Sequence, residues 1–136
     1  MKFNIRKLND SDYELILQKW WKDWRWTPPS KDFLPEDGEG GFIVYDKDIP
    51  VCAGYIYITN SSVGWCDWII SNFEYKHKQK RKKAIIELVR VLTESLKLSG
   101  CKYSYALIKS ESLIKHYESN GYIQGDSYNK EMIKKL

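Results

Sequence analysis

The stretch between Ile69 and Ala84 has the residue types best suited to chemistry. A strand-like run, Ile69-Ile70-Ser71, leads toward a helical pattern that begins near Lys82. Between them residues 76–83 read Lys-His-Lys-Gln-Lys-Arg-Lys-Lys. A strand that feeds a helix start exposes unpaired amides at the positive end of the helix dipole, which suits a phosphate. Six cationic side chains with no acid among them favour the same ligand, and they repel one another unless an anion arrives. The competing reading is a solvated basic loop. Asp67 is the only acid in Trp65–Ser71, and strand alternation puts Trp65, Asp67, Ile69 and Ser71 on one face. Glu74 lies just beyond. His77 and His116 have no neighbours at metal-ligand spacing, and there is no phosphate-binding Walker loop or Gly-x-Ser-x-Gly elbow.

The bulk numbers bound what can surround this segment. A chain of 136 residues, 43% hydrophobic and 29% charged, suits one soluble domain spanning 1–136. Aromatics reach 15%, which argues against disorder. No apolar run approaches the roughly 18–20 residues of a membrane helix, and the first residues carry no signal-peptide core. Cys52, Cys66 and Cys101 are isolated and odd in number, so they read as reduced, packed thiols of a cytoplasmic protein. The net charge is +4, and removing the six charges of residues 76–83 leaves −2 for the rest. The chain is therefore not generally basic, and that balance argues against nucleic acid as a partner.

The elements follow from period and punctuation. Phe3–Leu8 reads as a strand. Ser11-Asp12-Tyr13-Glu14 fits a capping box, followed by Tyr13, Ile16, Leu17, Trp20, Trp21 and Trp24 at helical spacing and a stop at Pro28-Pro29. Residues 27–40 form a Pro- and Gly-rich acidic loop. Gly41–Tyr45, Val51–Thr59 and Trp65–Ser71 make an antiparallel meander. A helix from about Lys82 to Leu98 buries Ile85, Leu88, Val89, Leu92 and Leu96. Tyr103–Ile108, a short helix Ser112–Ser119, Tyr122–Gln124 and a last strand near Glu131–Ile133 complete the chain. The fold class is α/β (α+β): a mixed, mostly antiparallel sheet with a central β-α-β crossover and helices on both faces.

That element order resembles the GNAT superfamily of acyl-CoA N-acyltransferases across nearly the whole chain. The family's strand-to-helix loop, Gln/Arg-x-x-Gly-x-Gly/Ala, holds the pyrophosphate of acyl-CoA on backbone amides. The best match here is Gln79-Lys80-Arg81-Lys82-Lys83-Ala84, with Lys82 where the central glycine belongs, and a frame begun at Arg81 also lacks glycine. Leu113-Ile114-Lys115-His116-Tyr117-Glu118-Ser119-Asn120-Gly121-Tyr122 is similar to the family's short helix with an aromatic-Tyr-Glu triplet and a Gly-Phe that enters the next strand.

By this resemblance acetyl-CoA is the default donor and a primary amine the acceptor. Tyr117 protonates the leaving thiolate, and Asp67 or Glu74 serves as base. The backbone of Ile69, Ile70 and Ser71 pairs with pantetheine amides. Trp21 or Trp26 lines an acceptor pocket, with Glu36, Asp37 and Glu39 nearby. Two other readings stand beside this one. The first is a non-catalytic GNAT-like module that binds a partner through residues 76–83. The second is a nucleic-acid binder that uses Tyr75 and exposed Trp with the lysines. A late hairpin in such a sheet often pairs with a second copy, so a homodimer is also considered.

Overall fold

Alternating apolar residues and short polar turns build the sheet. In the computed structural model, which describes residues 2–136, five strands lie in the order β1 (Asn4–Lys7), β2 (Gly41–Asp46), β3 (Ile49–Ile58), β4 (Val63–Ser71) and β5 (Tyr103–Tyr105). Neighbours among the first four are antiparallel. The helix α2 (Lys78–Leu98) carries the chain from β4 to β5, which pairs with β4 in parallel. A π-helical turn, Tyr13–Leu17, leads into α1 (Gln18–Asp23), and α3 (Glu111–Glu118) follows β5. Two 3₁₀ turns, Lys31–Phe33 and Pro35–Gly38, order the acidic loop. Among the described residues no helix is long and apolar enough to cross a membrane.

Both faces of the sheet are covered, as the strand alternation requires. On one, α2 buries Ala84, Leu88, Val89, Leu92 and Leu96 against Val44, Cys52 and Cys66. On the other, Leu17, Trp20 and Trp21 pack on Ile43, Ala53, Tyr55 and Ile70. Neighbours in sequence such as Ile43 and Val44 thus serve opposite cores. Gly54 lets α2 approach β3 closely. A Cβ there would stand 2.5 Å from Ile69 Cδ1 and 2.8 Å from Leu92 Cδ1.

Four local expectations are corrected. The Ser11 capping box does not form: Ser11 Oγ bonds Asn9 Oδ1, Asp12 accepts from the Asn9 amide, and Glu14 pairs with Lys31. Asp12 is instead held by Arg6 through two guanidinium bonds of 2.8 and 2.9 Å. The first helix stops at Asp23, ahead of the prolines, because Arg25 turns left-handed (φ 64). The long helix begins at Lys78, about one turn early, since Lys, Gln and Arg are good helix formers with no glycine among them to interrupt.

The fourth correction concerns the end of the chain. The strand after α2 spans only Tyr103–Tyr105, and the strands expected at Tyr122–Gln124 and Glu131–Ile133 are absent. Tyr122 is drawn inward instead. Its hydroxyl meets those of Thr93 (2.6 Å) and Ser104 (2.5 Å), and residues 123–136 run exposed without a ladder.

The close approach at Gly54 yields a test. Gly54→Val should lower stability by about 1–3 kcal/mol through overpacking against Ile69 and Leu92, read from urea denaturation. An unchanged midpoint would mean that α2 does not sit this close to β3.

Candidate active site

One extra residue in β4 shapes the region around the chemistry. Trp68 is left-handed (φ 57), and the β3–β4 register slips between Ala53 and Tyr55, which face Ile70 and Asp67. Such a bulge changes which side chains share a face. Asp67 lies opposite Tyr55 and Trp65 opposite Tyr57, whereas Ile69 packs with the α2 core and Ser71 lies opposite Cys52. The expected quartet of Trp65, Asp67, Ile69 and Ser71 is therefore split. Trp65 and Asp67 face the α1 side, and Ile69 and Ser71 face α2.

Beyond the bulge β4 has no strand beside it on the β5 side, because the two pair only from Val63 to Trp65. Ser62 C=O accepts from the amides of Lys102 and Tyr103 on that edge, while the Asn72 amide bonds Val51 C=O on the β3 edge. Alternation then turns the backbone of Ile69 and Ser71 outward and that of Ile70 toward β3. Two side chains bracket the open edge. Tyr117 OH donates to Cys66 C=O (2.8 Å), and Trp24 Nε1 donates to Ser71 C=O (2.8 Å).

Tyr117 is placed by α3, whose start is capped by Ser110 Oγ and whose end turns at Gly121 (φ 89). Its ring meets Tyr122 edge-on at 4.9 Å, and it is buried. Burial, and then Cys66, push its phenol well above the ordinary tyrosine range. Its proton is committed to the strand carbonyl. Burial likewise pushes the Cys66 thiol up to about 12 and raises that of Cys52, so neither is a ready nucleophile.

Asp67 accepts the Trp68 amide on Oδ1 at 2.8 Å. Burial raises its carboxyl to about 6; the Trp68 hydrogen bond opposes the shift and Glu131 adds to it. Beside it Tyr57 OH accepts from Trp68 Nε1 (2.8 Å) and donates to Phe33 C=O (2.9 Å). Phe33 meets Trp68 edge-on at 5.9 Å. Tyr57, Trp68 and Phe33 were missed in the sequence. The alternation that placed Tyr55 and Tyr57 on one face was the available signal.

The other expected residues lie elsewhere. Glu74 is exposed and pairs with Lys19 (2.9 Å), with no polar contact to Asp67 or Tyr117 among the described residues. Trp21 is buried between Tyr13 and Trp68, so it is core. Trp26 is exposed and stacks on Trp24. Glu36, Asp37 and Glu39 are exposed, and Glu36 borders a depression of about 420 Å³ shared with Ser95 and Ser99, at the far end of α2 from the lysines.

The early start of α2 changes the anion site. The Arg81 amide already bonds His77 C=O at 2.8 Å, so the amides lacking a helical acceptor are those of Lys78, Gln79 and Lys80. Those of Lys82, Lys83 and Ala84 lie inside the helix, and Ala84 is core. Arg81 turns back to Tyr75 C=O (2.9 Å), while Lys78, Gln79, Lys80, Lys82 and Lys83 are exposed. The expected six-residue cradle thus contracts to three amides and a fringe of lysine side chains. On the α3 side of the helix, His116 is buried with Nδ1 unpartnered, and burial, then Lys82, keep its pKa below the ordinary value.

No protein-family model matches the sequence, and no curated protein matches it. Solved structures do match in shape. Glucosamine-6-phosphate N-acetyltransferase from Arabidopsis thaliana superposes at a TM-score of 0.67 with 16% identity, over 98% of this chain and 100% of that one. The NatC complex bound to Gag peptide and CoA gives 0.70 and 16%, over 93% and 87%. A GNAT family acetyltransferase of Staphylococcus aureus gives 0.60 and 14%, over 98% and 100%.

The Asp67 carboxyl gives a pH test. Its folded pKa is raised above the unfolded value, so the native state holds the extra proton and stability falls as pH rises from about 4 to 6. Asp67→Asn should exceed the native protein in stability by up to roughly 3 kcal/mol above that window and by nothing below it. Urea titrations at either end measure this, and a pH-independent difference would refute the assignment.

Proposed function

We propose that this chain, whose fold is that of the GNAT acetyltransferases, is an acyl-CoA-dependent N-acyltransferase that passes an acetyl group to a primary amine. The observation that carries the reading is the open edge of β4 after the Trp68 bulge, which runs toward a helix start with three unpaired amides. An extended ligand with amides in its middle and phosphates at one end suits that arrangement. Ile69 supplies an outward backbone edge, Ser71 does so once its carbonyl is released by Trp24, and Ile70 serves by packing alone. Lys78, Gln79 and Lys80 supply amides, and Lys80, Lys82 and Lys83 supply charge to the pyrophosphate.

When bound, acetyl-CoA supplies the activated thioester carbon. Asp67 takes a proton from the acceptor ammonium, and its pKa of about 6 leaves it ionised at neutral pH. The neutral amine then bonds to that carbon, the carbon–sulfur bond breaks, and the second proton shed by the nitrogen restores the one that Tyr117 gives up. Tyr117 gives its proton to the departing sulfur, which requires its hydroxyl to leave Cys66 C=O. Tyr57, Trp68 and Phe33 form the apolar wall beside Asp67 where the acceptor approaches. Glu74 remains the second base on sequence grounds, and its exposure and its pairing with Lys19 make it the weaker one.

A second reading has its own support. The donors of Tyr117 and Trp24 already occupy two carbonyls of the edge, and the helix start lacks the glycine that brings backbone close to phosphate. Those features favour a non-catalytic module that uses residues 76–83 for a partner.

Calorimetric titration with acetyl-CoA and with CoA separates the two. The acyltransferase reading predicts saturable binding that Lys78→Glu/Lys80→Glu weakens at least tenfold. It also predicts turnover of an amine panel with an ascending pH limb near 6, and a kcat lowered about 10²–10⁴-fold by Asp67→Asn. Absence of heat at millimolar ligand would leave the binding-module reading.

A further inference from the structure

Three helices of this chain end in the same way, and one of them does so under strain. In each, an amide two or three residues past the helix cap bonds a carbonyl five residues back: Trp26 to Trp21 (2.9 Å), Cys101 to Leu96 (3.1 Å) and Tyr122 to Tyr117 (3.3 Å). This ending needs a left-handed residue just before that amide, and glycine takes the conformation at least cost. Gly100 and Gly121 fill the place after α2 and α3, but Arg25 fills it after α1. The strained turn folds Trp26 back onto Trp24, with rings 5.9 Å apart and 21° from parallel. Trp24 meets Phe73 edge-on at 4.8 Å, and Lys76 Nζ lies 4.1 Å over the Phe73 ring.

The result is a continuous ridge of rings and cations. Trp26 is 56% exposed and Phe73 39%. Lys22 and Arg25 flank the tryptophans, and Lys78, Lys80 and Lys82 continue from Lys76 along the exposed start of α2, whereas Lys83 lies on the other flank of the helix beside Lys2, Phe3 and Glu87. Among the described residues none of these cations pairs with an acid. The nearby carboxylates of Asp23 and Glu74 are already held by Lys19, at 2.6 and 2.9 Å. Lysines at the positive end of a helix dipole oppose folding, and so does arginine in a left-handed turn.

We propose that this ridge, from Trp26 through Phe73 and Lys76 to the first turns of α2, is a docking surface for single-stranded nucleic acid. An exposed stacked indole offers a flat face to an unpaired base, and the adjoining cations track a phosphate chain. An acidic peptide would meet the same charge but gain little from the stacked rings. Tyr75, which the sequence offers for stacking, is buried with its hydroxyl on Asp46 (2.7 Å), and Phe73 takes that role. The slightly acidic balance of the rest of the chain does not decide the matter, because the field at this surface is set by its own unpaired cations.

The test is titration of the full chain with a short fluorescent oligouridylate, read by anisotropy and by tryptophan quenching. Binding should weaken with salt at a log–log slope of about −3, the value for four to five phosphates neutralised on a single strand. Trp26→Ala should weaken it about tenfold or more. Arg25→Gly should raise the melting temperature by a few degrees while lowering affinity, which separates a binding role from a folding one. Three results would overturn the proposal. One is no binding at about 100 µM protein in low salt. Another is binding that Trp26→Ala leaves intact and heparin reproduces, which would mean charge capture alone. The third is a Trp26→Ala variant that loses CoA binding and oligouridylate binding to the same degree, which would mean a single mononucleotide subsite.

Discussion

Trp68 takes a left-handed conformation in the middle of an otherwise extended strand, and the extra residue it inserts reverses the sidedness of everything after it. Before the bulge, Asp67 and Trp65 belong to the α1 face. After it, Ile69 joins the α2 core while Ile70 joins the other. The backbone is re-aimed in the same step. Cys66, on one side of the bulge, and Ile69 and Ser71, on the other, present outward groups along an edge that β5 has already left. Without the bulge a regular β4 would turn the backbone of Ile70, and not that of Ile69 and Ser71, toward that edge.

An edge so exposed would be costly if its acceptors were left dry and unbonded. The fold meets this with two long aromatic side chains from opposite faces. Tyr117 reaches in from α3 and Trp24 from the end of α1, each making a 2.8 Å bond to a strand carbonyl. Both aromatics also have neighbours that fix them: Tyr122 beside Tyr117, and Phe73 with Trp26 beside Trp24. Binding of a ligand along this edge is therefore an exchange of donors as well as an addition of contacts.

Much of the fold was legible in the sequence because its signals are local. The Leu88, Val89, Leu92 and Leu96 stripe, the meander turns and Gly100 each act through period or conformational freedom. The misses arose where tertiary context decides. Nothing in Trp65–Ser71 announces that one residue will be extruded, so simple alternation mispaired Asp67 with Ile69 and Ser71. The lysines before Ala84 resemble a loop by charge, yet their helix propensity wins once α2 is anchored on the sheet. Trp21 and Trp26 share a composition and not an environment, since Trp21 faces the sheet and Trp26 follows a left-handed turn. Ser11 and Glu14 match a capping box, but Asn9 and Asp12 captured the local donors first. The strands expected after Gly121 failed because Tyr122 found hydroxyl partners on α2 and β5 in place of a ladder.

The central claim is that the β4 edge and the start of α2 together form one acyl-CoA site. Amide chemical shifts of ¹⁵N-labelled protein, followed through an acetyl-CoA titration, address it most directly. The account predicts saturating shifts at Ile69, Lys78, Gln79 and Lys80, and at the Trp24 indole as its bond to Ser71 is exchanged. Shifts confined to the lysine helix, or none at all, would contradict it, because the strand edge would then take no part in binding.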